Sequence, residues 1–144
     1  MPIKSFRGLI AHDKVDTISL HTNNGSTGYK IVKFELMPET PMTVESENVV
    51  KIFSTPQTAT SATIDFSDNT LLAAGFIEGQ PAAAYNTQET IVFDNMTFNQ
   101  DIYVTNNSDQ SKAVNYYIEL EQIKLDLNEN TVATLKDIRN IKSQ

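Results

Sequence analysis

The chain has no cysteine and no tryptophan, only five glycines and five prolines, and two histidines in 144 residues. The missing cysteines exclude disulfide staples, a thiolate metal site and a cysteine nucleophile. Scarce glycine leaves no phosphate-cradling loop. Gly25 and Gly28 lack both a following helix and the third glycine of a dinucleotide fingerprint. Basic residues are outnumbered 18 to 11, giving a net charge of −7. Binding to nucleic acid through phosphates needs a basic face, and no nucleic-acid partner is expected. Lys4, Arg7 and Lys14 form only a loose group, read as a solvated N-terminal arm. No segment approaches the roughly 20 apolar residues that cross a bilayer, so no membrane partner is expected. The first residues, Met1–Arg7, lack the apolar stretch of a signal peptide.

What is present is ordinary for a globular domain: 40% hydrophobic and 20% charged residues. A chain of this size buries about 70% of its unfolded surface on folding. The aromatics are seven Phe and five Tyr, most of them inside β-like runs, where flat rings pack well on a pleated surface. The clearest run is Val114–Glu121. Val114, Tyr116, Ile118 and Leu120 alternate with Asn115, Tyr117, Glu119 and Glu121, as in a strand with one buried face. Ile102–Val104 and the polar turn Asn106–Ser111 precede it, and the spacing predicts a hairpin. After Leu120 the apolar residues change parity to Ile123, Leu125 and Leu127, which predicts a bulge near Gln122.

Further strands are expected at Ile3–Ile10, Val15–Thr22, Tyr29–Met37, Asn48–Ser54, Thr63–Phe66, Leu71–Ile77 and Glu89–Phe93. In Tyr29–Met37 the expected buried face is Val32, Phe34 and Leu36. Asn23–Ser26 contains Asn-Gly, a strong hairpin signal, and Pro38 and Pro41 bracket a break. Gly79–Gln88 reads as the longest loop. Asn128–Asn140 is the one expected helix, with Val132, Leu135 and Ile138 recurring every third residue. Residues 1–144 therefore read as a single all-β domain: a two-sheet antiparallel β-sandwich, jelly-roll-like, with one short C-terminal helix.

Chemistry is sparse. His12 beside Asp13 and Asp16 invites a metal or acid–base reading. His21 reads as a solvated histidine at a strand end, and no triad pattern supports a nucleophile. Asp65–Asn69 and Asn106–Asp109 contain oxygen ligands suited to calcium, but neither matches an EF-hand loop, and both read as turn chemistry. Glu119 and Glu121 imitate a glycosidase pair and read as the wet face of a strand. The triplets starting at Asn24, Asn95 and Asn106 read as turns and not as glycan acceptors. Tyr29, Tyr85, Tyr103 and Tyr117 offer flat faces on which a sugar could stack. No enzyme activity, cofactor or metal is expected.

Phe98–Thr105, Asn115–Gln122 and Thr131–Arg139, with Thr17–Asn23 and Phe66–Phe76 upstream, resemble small proteins of marine tailed bacteriophages. The resemblance spans most of the chain and carries no catalytic motif. It implies a structural virion protein, made in the host bacterial cytoplasm and placed on the capsid surface. A head decoration (cement) protein bound to the major capsid protein is the first expectation. A tail or fibre component, or a host-surface carbohydrate-binding module using Tyr85, are the alternatives. A homo-oligomer is expected, with a trimer among its forms. The contacts assigned to a shell or sister subunit are Phe6 and Arg7 in the N-terminal arm, Tyr85 in the long loop, and Leu135, Ile138 and Ile141 at the C-terminus. Both terminal segments can equally complete the domain's own core.

Overall fold

The computed structural model describes residues 2–20, 26–41, 46–79, 87–93 and 96–125. Within them the chain is all-β, with eight strands: β1 (Ile3–Ile10), β2 (Lys14–Ile18), β3 (Thr27–Pro38), β4 (Ser46–Phe53), β5 (Leu71–Gly79), β6 (Thr87–Val92), β7 (Ile102–Ser108) and β8 (Val114–Lys124). They form two antiparallel sheets, one of three strands in the order β1-β8-β3 and one of five in the order β2-β7-β4-β5-β6. Among the described residues there is no helix, and the expected helix at 128–140 lies outside them.

Both sheets contribute to one apolar core. Ile10, Phe34, Leu36, Tyr116, Ile118 and Leu120 enter it from the three-stranded sheet, and Val50, Ile52, Ala73, Ile77, Ile102 and Val104 from the five-stranded one. Each fully buried Ile or Leu here stabilises the fold by roughly 1.5–3 kcal/mol relative to exposure. The alternation read in Val114–Leu120 is the observed one, with all four apolar residues of that run buried.

The expected hairpin between Ile102–Val104 and that strand is not formed. β7 pairs with β2 and β4 in one sheet, whereas β8 pairs with β1 and β3 in the other. Asn106, Asn107 and Ser108, expected as turn residues, continue β7. The chain then crosses between sheets at 109–113, just as it crosses at 11–13 between β1 and β2. Among the described residues, the two non-glycine residues with positive φ, Asp13 (60°) and Ser111 (55°), lie one in each crossover. Asp and Ser tolerate this left-handed conformation better than bulky residues do, and it reverses the chain in few steps.

Buried amides hold the two crossovers together. Asn106 Nδ2 donates to the Ile10 carbonyl (3.0 Å) and the Lys112 carbonyl (3.1 Å). Its Oδ1 accepts from Asn48 Nδ2 (3.1 Å), which also donates to the Lys112 carbonyl (2.9 Å). Carbonyls that leave one ladder without joining the next are thereby satisfied, which removes a desolvation cost of about 1–3 kcal/mol each.

Bulges differ from expectation in opposite ways, one present where none is expected and one expected but absent. In β3 the register shifts between Ile31 and Lys33, so Val32 is squeezed outward and Ile31 takes the core position. No register shift occurs near Gln122, and β8 pairs through Lys124. The parity change there has another cause. Leu125 lies on the outward parity and is buried over Gly28, where an added Cβ would stand 3.1 Å from its side chain. The expected strand at Thr63–Phe66 is absent, and those residues run as irregular chain.

Candidate functional site

The outer face of the five-stranded sheet is covered over β4 and the start of β5 by the chain itself, while at β6 the outward Ile91 stays 44% exposed. Residues 54–70 cross over it, and the Lys51 ammonium donates to the Thr63 carbonyl (2.7 Å). Lys51 is only 6% exposed and sits 5.5 Å above the Phe53 ring centroid. Burial pulls its pKa below the usual lysine range, against a smaller opposing pull from Asp68. Phe53, Leu71 and Ala74 form a second small core with Phe93, and Phe66 meets the Phe93 ring edge-on at 5.3 Å. Two Asx-type turns shape the covering segment. Asp65 accepts from the Ser67 N–H and hydroxyl, and Asp68 accepts from the Thr70 N–H and hydroxyl. The Ser67 bonds hold the Asp65 carboxyl below the usual range.

The outer face of the three-stranded sheet carries no such cover among the described residues. Register places Ile3, Ser5, Arg7 and Leu9 of β1 beside Glu121, Glu119, Tyr117 and Asn115 of β8. The latter face Lys30, Lys33, Glu35 and Met37 of β3. Ile3 is 52%, Leu9 50% and Met37 65% exposed. At the Leu9 end, Arg7, Leu9, Glu35, Met37, Asn115 and Tyr117 line an open groove of about 700 Å³. The Tyr117 hydroxyl donates to Glu119 at 2.7 Å, which raises the phenol's pKa. Lys30 approaches Glu121 at 4.0 Å. The apolar side chains thus stand within a polar, charge-balanced surface, the pattern of a protein contact face.

Of the residues assigned to partner contacts, Phe6 is half-buried and packs on the main core, and Arg7 is exposed in the groove. Tyr85, Leu135, Ile138 and Ile141 lie outside the described residues, as do His21 and the Asn23–Gly25 part of the expected turn. His12 is a structural acceptor, its Nδ1 taking the Ser108 N–H at 2.9 Å. Asp13 Oδ1 accepts from the Thr60 hydroxyl (2.6 Å) and Asp16 accepts from the Tyr116 hydroxyl (3.0 Å). These three side chains therefore point to separate partners. Asp109 caps the Glu47 N–H at 2.8 Å. Among the described residues no group of three or more His, Asp or Glu is placed to hold a metal ion. Asn106 is fully buried, which rules out its triplet as a glycan acceptor in the folded chain. Tyr29 is buried at 3% exposure, so its ring is closed to a sugar.

Sequence reasoning missed Ile3, Leu9 and Met37 as exposed apolar residues, and Lys51 as a buried one. β1 offers no clean alternation, and Lys51 is covered by a segment distant from its own strand. No family model, no curated protein and no solved structure matches this chain.

Proposed function

We propose that the protein is a structural component of a tailed-phage virion, a decoration protein that binds the major capsid protein on the outside of the shell. We read its two sheets as a jelly-roll sandwich. The strand pairs β1–β8, β2–β7 and β4–β5 nest as they do when one long hairpin is rolled up. In that scheme β6 would join β3. Here it hydrogen-bonds to β5 and packs alongside β3. Such sandwiches recur in viral capsid proteins and lectins, so the architecture is compatible with the reading without selecting it.

The observation that carries the proposal is the outer face of the three-stranded sheet, which no described residue covers. A decoration protein acts by burying surface, not by turnover. It needs a broad face that mixes apolar and charged side chains, as Ile3, Leu9, Met37, Arg7 and Glu35 do here. Homo-oligomeric assembly on a symmetric shell fits the same face. Mass spectrometry of purified particles tests the reading. The chain is expected at many copies per particle, and its absence or trace presence would refute a decoration role.

A further inference from the structure

The four sheet edges are not equally protected. β3 is blunted by the bulge at Val32, and at Tyr29 its edge is occupied by Phe98, with main-chain bonds of 2.7 and 2.9 Å. β2 has five residues with Lys14 and Asp16 among them, and β6 has six with Glu89 exposed. β1 is eight residues long, has neither bulge nor proline, and pairs on one side only among the described residues. Its hydrogen-bonding phase follows from one contact. The Pro2 carbonyl accepts from the Gln122 N–H at 2.9 Å. By strict alternation Lys4, Phe6, Gly8 and Ile10 turn their main-chain groups toward β8. Ile3, Ser5, Arg7 and Leu9 turn theirs to the open edge.

We propose that this edge pairs with the β1 edge of a second copy, antiparallel about a two-fold axis through Phe6, joining two three-stranded sheets into one. A two-fold antiparallel pair must place one residue opposite itself, which leaves few registers. Centring on Lys4 or Arg7 opposes like charges. Centring on Ser5 sets Ile3 against Arg7, and centring on Gly8 leaves Ile3 and Lys4 unpaired. Centring on Phe6 sets Ile3 against Leu9 of the second copy, Ser5 against Arg7, Lys4 against Gly8, and Phe6 against itself. The two half-exposed apolar residues of β1 then cover each other, and each cation meets a small neutral residue. Arg7 also comes within one strand of Glu119 of the second copy, because Ser5 pairs with Glu119 in the same row. The residues brought opposite each other, Ile3 with Leu9 and Ser5 with Arg7, are those whose main-chain groups face the edge. The pairing does not depend on the virion reading.

Sedimentation of the full chain over a micromolar-to-millimolar dilution series tests it. The wild type is expected to pass from one chain to two as concentration rises. Ser5→Pro removes an outward N–H that the monomer does not use, so it should keep the wild-type circular dichroism and remain a single chain throughout. The chain has no native cysteine, so oxidation of Phe6→Cys should trap a disulfide dimer, whereas Ser5→Cys and Arg7→Cys should not cross-link. A wild type that is a single chain at every concentration overturns the proposal, as does a Ser5→Pro variant that still pairs. Cross-linking at Ser5 or Arg7 but not at Phe6 overturns the register. Slow exchange of the outward β1 amides in a single-chain species would mean that another segment of the same chain covers the edge, and would also overturn it.

Discussion

On the five-stranded sheet the outward Phe53, Leu71 and Ala74 are 7%, 2% and 3% exposed, whereas on the three-stranded sheet the outward Ile3, Leu9 and Met37 are half exposed or more. Both sheets bury their inner faces in a common core, so the difference lies in what the chain lays over the other side. Residues 54–70 bring the five-stranded sheet a carbonyl for Lys51 and an aromatic edge for Phe93. Among the described residues nothing comparable reaches β1, β8 and β3. Where its own chain covers it, over β4 and the start of β5, the five-stranded sheet gains stability from both faces, although Ile91 of β6 stays exposed. Among the described residues, the three-stranded sheet leaves one face and one edge open.

The sharpest way to break that contrast is to truncate the covered side. Phe53→Ala should cost about 3–4 kcal/mol in urea unfolding, as in a true core. A loss below about 1 kcal/mol would show that the covering segment does not seal the face. Asn106→Ala comes next. It strips the Ile10 carbonyl of its side-chain donor and takes one of two partners from the Lys112 carbonyl and from the Asn48 amide, which keep each other, and should cost about 1–3 kcal/mol, read as a lowered urea midpoint.

Alkaline pH acts with opposite signs on Lys51 and Tyr116, whereas Tyr103 of the five-stranded sheet is raised like Tyr116. Burial lowers the folded pKa of Lys51 below 10.5, so the unfolded chain binds more protons between the folded value and 10.5. Stability should gain from this group as pH rises through that window. Tyr116, beneath the bare sheet, is pushed the other way, first by burial and then by Asp16. Its folded pKa lies above the ordinary 10.0. Its contribution is therefore complete below 10.0 and is lost as pH rises toward the folded value. In urea midpoints followed against pH, Lys51→Met should remove the gain and Tyr116→Phe the loss. The smallest effect belongs to the bare face, where Leu9→Ala should change monomer stability by less than about 0.5 kcal/mol.

Much of the fold was legible in the sequence because alternation reports which face a residue occupies. The termini of β1 and the buried face Val114–Leu120 were read directly. Alternation says nothing about a strand's partner, and there the reading failed. β7 and β8 follow one another in sequence and lie in different sheets, since Asn106, Asn107 and Ser108 continue β7 and residues 109–113 serve a crossover and not a hairpin. Val32 was placed inside because a bulge is invisible until the opposite strand is known. The parity of Leu125 predicts a bulge from sequence alone, because the space over Gly28 is a tertiary fact. The candidate face was the least legible part. Exposed apolar residues on β1 look like any strand until the register shows that nothing in the described chain covers them.

Amide hydrogen exchange along β1, measured on the full chain at low and high concentration, tests the central contrast most directly. The amides of Lys4, Phe6, Gly8 and Ile10, which face β8, should be protected at both concentrations. Those of Ile3, Ser5, Arg7 and Leu9 should exchange fast in dilute solution and become protected as concentration rises. Outward amides that exchange fast at every concentration, or are protected at every concentration, would contradict an edge left open for a second copy.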